Sequence, residues 1–266
     1  MESSRISTCT YPLRARPAAA ALTTMAAAGF KKVDLWGNPP HFSADPAKCD
    51  HAGLEAAARA AGVRIANLGT YCGTDFASDS EEVRAKALAE MKTTIDLAVR
   101  FGARSIRVRP GTGEDPAIIP RIAPLFKESA AYAAQRGIYL GMENHGGSLA
   151  GNVEAATRLC EAVGSKHFGI LYEPCNLSHA GVDYKAAFDA FEPWIVHIHV
   201  KDGRWAGDKF QPTHLGEGEI DYPWIIARLE GLGYRGDYAL EYEICEVEPI
   251  DSALPRWLDY FSRIVP

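Results

Sequence analysis

The chain has 266 residues, 47% of them apolar and 23% charged, with a formal net charge of −6 at pH 7. These proportions belong to a globular protein, and the acidic balance gives no support for a generic grip on nucleic acid phosphates or anionic membrane surfaces. No apolar run approaches the roughly 20 residues that span a bilayer, and the length suits two ordinary domains or one α/β barrel of about 250 residues.

The first strand-like segment is ISTCTY. The run PAAAALTTMAAAGF that follows resembles a signal peptide in composition, but Thr23 and Thr24 interrupt it and a strand precedes it, so a helix of small residues fits better. From there one punctuation recurs: a helical pattern, a glycine, then a short β-branched run. It appears as AAAGFKKVDLW, AAGVRIANLG, RFGARSIRVRPG, QRGIYLGMENH, SKHFGILYEP and GYRGDYALEYE. Glycine just past a helix end supplies a left-handed cap, and the run after it reads as a buried strand. With ISTCTY and IVHIHVKD this makes eight strands. The clearest helix covers residues 80–100, with Val83, Ala87, Met91, Ile95 and Ala98 on one face. Ser78 and Glu81 form its expected capping box. Pro17, Pro46, Pro116 and Pro223 are expected near other helix starts.

Alternating strands and helices imply parallel pairing with right-handed crossovers. Eight such units predict a single (β/α)8 barrel domain over residues 1–266. A doubly wound open sheet would carry a glycine-rich phosphate loop after its first strand, and TCTYPLRARP has none. Cys9, Cys49, Cys72, Cys160, Cys175 and Cys245 are scattered, with no C-x-x-C pair, which favours reduced thiols in a cytoplasmic protein.

Barrel enzymes react at the C-terminal ends of their strands. Those ends offer Glu143 and His145 (strand five), Glu173 (six), His199 and Lys201 (seven), and Glu241 and Glu243 (eight). Alternation turns these side chains inward, and Leu140, Met142, Ile198, Val200, Leu240 and Tyr242 outward to the helices. Converging carboxylates repel one another unless something compensates. A divalent cation does so most simply; salt bridges from Lys201 alone are the alternative. Three carboxylates and an imidazole suit manganese, magnesium, cobalt, iron or zinc. His197, deeper in the strand, is expected as a hydrogen-bonded interior histidine. Arg107 is expected in an internal salt bridge, and Glu243 as an ion-pair partner.

ENH after strand five, an acidic-Pro-x-Asn stretch after strand six, H-x-K-D on strand seven, HLGEGEID and a strand-eight glutamate together resemble the xylose-isomerase-like TIM barrels. The resemblance runs through all eight units. It implies a metal-dependent sugar, sugar-phosphate or keto-sugar isomerase or epimerase, working by proton transfer next to a carbonyl. By the same resemblance the metal ligands are Glu143, Glu173, His199 and Glu241. Glu173 departs from the commoner aspartate, which adds about 1.3 Å of reach. Glu143 and Glu241 also become the acid/base pair, one on each side of the substrate. His145, Asn176, Lys201, Arg109 and His214 are the candidates for orienting substrate oxygens. Asn176 stands where some ketose epimerases place a histidine, and HLGEGEID is placed over the barrel mouth. The implied partner is a small carbohydrate, with neither nucleic acid nor membrane, and a homo-oligomer is compatible.

Three rivals share the fold. One is a keto-inositol or keto-sugar dehydratase or lyase, in which the enolate expels a β-substituent. Another is a DNA-repair endonuclease, which needs further histidines after strands two and three. Those ends read VDLWGN and IANLGTYC, with only His41 beyond them. The third is a non-catalytic sugar-binding barrel.

Overall fold

Eight parallel strands close into a ring in the computed structural model, which describes residues 5–266. In chain order they are β1 (Ile6–Cys9), β2 (Lys32–Trp36), β3 (Arg64–Cys72), β4 (Ser105–Val108), β5 (Tyr139–Glu143), β6 (Phe168–Tyr172) and β7 (Ile195–Val200). An antiparallel hairpin follows, β8 (Asp202–Ala206) with β9 (Lys209–Thr213), and β10 (Tyr238–Leu240) is the last. β10 pairs with both β7 and β1, which closes the barrel. The crossovers hold α1 (Ala18–Ala27), α2 (His51–Ala61), α3 (Glu81–Phe101), α4 (Ile119–Ala134) and α5 (Val153–Val163). Short α6 (Pro174–His179) and α7 (Tyr184–Phe191) share one crossover, and α8 (Tyr222–Gly231) and α9 (Ile250–Ser262) complete the set.

The helix–glycine–strand punctuation has the expected cause. At the end of α3, Gly102 is left-handed, with φ 72°, and its N–H turns back to the carbonyls of Ala98 and Val99. The start of α3 differs from the expectation. Ser80, not Ser78, is the cap, accepting the N–H of Val83. Val83 lies in that first turn and is 38% exposed, so the buried face begins at Ala87 and continues through Met91, Ile95 and Ala98. Pro46 also falls short of a helix: Asp50 caps α2 through the N–H of Gly53. Pro223 does sit in the first turn of α8.

The strand faces divide as alternation requires. Leu140, Met142, Ile198, Val200, Leu240 and Tyr242 are fully buried, and burial of each such side chain contributes roughly 1.5–3 kcal/mol. The interior differs from the branched apolar filling usual in these barrels. One layer is polar: Ser7 donates to Asp34 at 2.7 Å, Asp34 meets His197 at 2.6 Å, and Ser105 donates to Asn67 at 2.8 Å. His197 is therefore the hydrogen-bonded interior histidine expected. All six cysteines are unpaired. Among the described residues no helix is long and apolar enough to cross a membrane.

Candidate active site

Glu143 ends β5, His199 is the fifth residue of β7, and Glu241 follows β10 directly. Their side chains meet at the C-terminal mouth of the barrel. His199 Nδ1 lies 3.0 Å from Glu143 Oε1 and 3.6 Å from Glu241 Oε1. One ligand atom from each of the three falls within 4.8 Å of the others. The same imidazole faces a second cluster with its other nitrogen. His199 Nε2 is 3.5 Å from Asp34 Oδ2 and 3.7 Å from Cys9 Sγ. Burial would lower the pKa of the His199 ring, but its contacts with Cys9, Glu241 and Asp34 raise it well above the ordinary histidine value. Both nitrogens therefore carry protons, and a metal at the mouth would displace the one on Nδ1.

The charges explain why these acids tolerate burial. Desolvation would raise the Glu143 carboxyl, but Arg107, His199 and Lys201 hold it well below the usual carboxylate range. The Arg107 contact is direct: Nη1 donates to Glu143 Oε2 at 2.8 Å, the internal salt bridge expected. Asp34 is likewise pulled down by His197 and His199 against its own burial. Burial pushes the Cys9 thiol up to about 12, Glu241 and Asp34 adding to it while His199 opposes, so the thiol stays protonated. Lys201 resists the desolvation that would lower it, because Glu241, Glu173 and Glu243 raise it well above the ordinary lysine range. Its Nζ lies 3.0 Å from Glu241 and 2.8 Å from Glu243, the ion pair expected for the latter.

Glu173 is fully buried but turned elsewhere. It caps α6, taking the N–H groups of Cys175 at 2.9 Å and Asn176 at 2.5 Å. Asn144 clamps its backbone, accepting the Glu173 N–H at 2.8 Å and donating to its carbonyl at 2.6 Å. Both carboxylate oxygens of Glu173 are thereby engaged by the first turn of the helix that Pro174 starts. Its nearest approach to Lys201 Nζ is 3.8 Å. Burial, reinforced by Glu241 and Glu143 and only partly offset by Lys201, pushes its carboxyl up to about 8.

A cavity of about 360 Å³ opens over this cluster. Of the expected substrate-orienting residues, His145, Asn176 and Lys201 line it. Arg109 instead donates to the Gly147 carbonyl and borders a smaller adjoining cavity. His214 faces α9, where Nδ1 accepts the Trp257 indole N–H at 3.0 Å and Nε2 lies 3.4 Å from Glu248. His41 is engaged with Thr10 and with the carbonyls of Leu13 and Arg16.

Sequence reasoning missed Asp34 and Cys9. It also missed the aromatic walls, Trp36, Tyr71, Phe210 and Trp257, and the β8–β9 hairpin that brings Phe210 over the cavity. Gly207-Asp208 between alternating residues was its available signal. Asp202 ties that hairpin to the HLGEGEID stretch. Its carboxylate accepts the N–H groups of Gly203, Gly216, Gly218 and Ile220 at 2.9–3.2 Å. A Cβ on Gly218 would overlap the Asp202 carboxylate, so only glycine permits the approach.

The model of the xylose isomerase-like TIM barrel family matches residues 22–260. The chain is 25% identical over 251 residues to rhizopine catabolism protein MocC of Rhizobium meliloti, covering 84% of this chain and 73% of that protein. It is 26% identical over 126 residues to inosose dehydratase of Lactiplantibacillus plantarum, covering 42% of each. Curated relatives at this similarity are spanned over 42% to 73% of their length. A xylose isomerase-like TIM barrel protein from Mycobacterium smegmatis, solved in complex with magnesium, superposes with a TM-score of 0.77 at 19% identity, covering 98% of this chain and 96% of that one. Ketose 3-epimerases, one in complex with D-allulose, share the fold as well. With the family match running from α1 into α9 around a closed barrel, the chain belongs to the xylose isomerase-like TIM barrel family.

Proposed function

We propose that the chain is a divalent-metal-dependent isomerase or epimerase, acting by proton transfer next to the carbonyl of a small keto-sugar or keto-cyclitol. The observation that carries this reading is the approach of Glu143 and Glu241 to the same nitrogen of His199 within one cavity. Two buried carboxylates and an imidazole nitrogen within 4.8 Å of one another fit a divalent cation of the manganese, magnesium, cobalt, iron or zinc kind. Glu143, His199 and Glu241 would hold it, and Glu173 would join by releasing the α6 amides. Bound there, the ion supplies Lewis-acid stabilisation of the negative charge that develops on the substrate carbonyl oxygen.

The chain's own residues divide the proton work. Glu143, kept ionised by Arg107, takes the carbon-bound proton. Glu241 would enter that turnover protonated and deliver its proton to the opposite face. Lys201 would hold the carboxylate left behind through the 3.0 Å contact, and exchange with solvent would reset both acids. His145, Asn176 and Lys201 orient hydroxyls of the ligand. Arg109 and His214 stand outside this contact set because they do not line the cavity.

The test is deuterium uptake from D2O, next to the carbonyl, by a panel of ketoses and inososes. Uptake that depends on added divalent metal and is lost in Glu143→Gln supports the reading. Metal-loaded protein that exchanges none of the panel refutes it. The likeness to inosose dehydratase favours one second reading, elimination of a β-hydroxyl as water after the same proton abstraction. A conjugated, ultraviolet-absorbing product lacking one water would select it over isomerisation.

A further inference from the structure

The cavity lining has a charge pattern that the proton-transfer reading does not require. Among the described residues, five carboxylates line it, from Asp34, Glu143, Asp202, Glu241 and Glu243. Arg107 and Lys201 are the only lysine or arginine side chains to do so. Both are already committed. Arg107 donates to Glu143 at 2.8 Å and to the Thr70 carbonyl at 3.1 Å. Lys201 donates to Glu241 at 3.0 Å and to Glu243 at 2.8 Å. The start of α6 is closed to anions too: Pro174 has no N–H, and Glu173 takes the amides of Cys175 and Asn176. A divalent cation at the Glu143–His199–Glu241 cluster does not reverse the sign of this lining.

The remaining walls suit a different guest. Trp36, Tyr71, Phe210 and Trp257 line the cavity, and ring faces of this kind accept the C–H faces of a sugar or cyclitol ring. His179 adds a planar surface stacked on Phe210, with centroids 4.8 Å apart and planes at 16°.

We infer that the site takes a neutral, unphosphorylated polyhydroxy carbonyl compound and rejects the phosphate ester of the same sugar. This rests on the proposed proton-transfer reading for the word carbonyl, and on the lining alone for the word neutral. A phosphate dianion here meets net negative charge with both strong cations of the lining, Arg107 and Lys201, already paired, and repulsion of that kind is strong where water is excluded.

Binding is read by the tryptophan fluorescence of the metal-loaded protein, two of whose five tryptophans, Trp36 and Trp257, line the cavity. The probes are matched pairs, D-fructose with D-fructose 6-phosphate and D-ribulose with D-ribulose 5-phosphate, together with scyllo-inosose and inorganic phosphate. At least one neutral probe is expected to bind about tenfold or more tightly than its phosphate ester. That gap should narrow as salt screens the repulsion, and inorganic phosphate should not compete. Equal or tighter binding of a phosphate ester, especially binding lost in Arg109→Met, overturns the inference. So does the absence of a response to every neutral probe. Deuterium uptake measured on the same samples separates this idea from the reading beneath it. Neutral binding without exchange sinks the proton-transfer reading alone, and exchange confined to phosphate esters sinks the inference alone.

Discussion

Arg107→Met removes the cation that keeps Glu143 ionised inside the barrel. The two side chains are 13% and 8% exposed, so water screens their 2.8 Å contact little. Removing one partner of such a buried pair costs about 3–5 kcal/mol. Loss of the guanidinium from the Tyr71 ring, 4.2 Å away, adds about 0.5–1 kcal/mol. Methionine refills apolar volume and offsets part of this, leaving about 3 kcal/mol. At roughly 2–4 °C per kcal/mol, the melting temperature should fall by about 6–12 °C. The pH dependence has a definite sign. The folded-state pKa of Glu143 lies below its unfolded value of roughly 4.3. The pair's contribution is therefore fully present above that value and is lost as pH falls toward the folded one. The assay is urea unfolding of chelator-treated wild type, Arg107→Met and Arg107→Lys from pH 8 down to pH 3. The gap between wild type and the methionine variant should stay constant from about pH 8 to 5 and close only below about pH 4. Lysine should recover part of it as a point charge, without the bond to Thr70 or the ring contact. A methionine variant within about 1 kcal/mol of wild type at pH 7 would refute the reasoning, as would a gap that already narrows between pH 8 and 5.

Glu143→Gln and Glu241→Gln should each lower turnover of a responsive substrate by at least about 100-fold. Metal content measured in parallel decides the meaning, since near-normal rates with metal bound would leave the carboxylates as ligands only. Glu173→Gln should stabilise the chelator-treated protein at pH 9, because a carboxyl with pKa about 8 when folded and roughly 4.3 when unfolded loses stability across that interval. A gain of about 2–4 kcal/mol is expected after loss of one capping bond, turning into a loss of about 1 kcal/mol below about pH 4; an unchanged urea midpoint at pH 9 would contradict the burial argument. Asn144→Ala deletes both hydrogen bonds to the Glu173 backbone and should cost about 2–3 kcal/mol in the same assay. An abasic DNA duplex should not be incised, and incision that depends on Glu143 would restore the nuclease reading.

What could be read from the sequence was whatever period-two alternation encodes. In VHIHVKD it separates His197, His199 and Lys201 from Ile198 and Val200, and it does the same for Glu241 and Glu243 around Tyr242. The paired residues then meet because parallel strands bring their C-terminal ends together. Asp34 escaped notice because one acid in VDLW reads as the exposed face of a half-buried strand. Its partners Ser7, His197 and His199 are 27, 163 and 165 residues away and meet it only once the barrel closes. The direction of Glu173 was hidden for another reason. Whether a glutamate looks into the mouth or back onto its own helix depends on χ angles and on the free amides of Cys175 and Asn176, which no spacing rule records. Arg109 and His214 had suitable positions along the chain, but the Gly147 carbonyl and the Trp257 indole compete for them.

The Asp202 carboxylate bears on how this barrel can change its guest. It organises the chain from Gly203 to Ile220 through four backbone N–H groups and no hairpin side chain. The residues that the hairpin presents to the cavity, Phe210, Pro212 and Thr213, take no part in that anchor. They are therefore separable from the acid–imidazole cluster, Phe210 alone being tied to the scaffold through its packing on His179 and Gly203. Exchange of these three positions alters the shape and polarity of one wall while Glu143, His199 and Glu241 stay where β5, β7 and β10 put them. Selection for a new substrate can thus act on a short surface ribbon, and insertions at Gly207-Asp208 can lengthen that ribbon without disturbing a barrel strand.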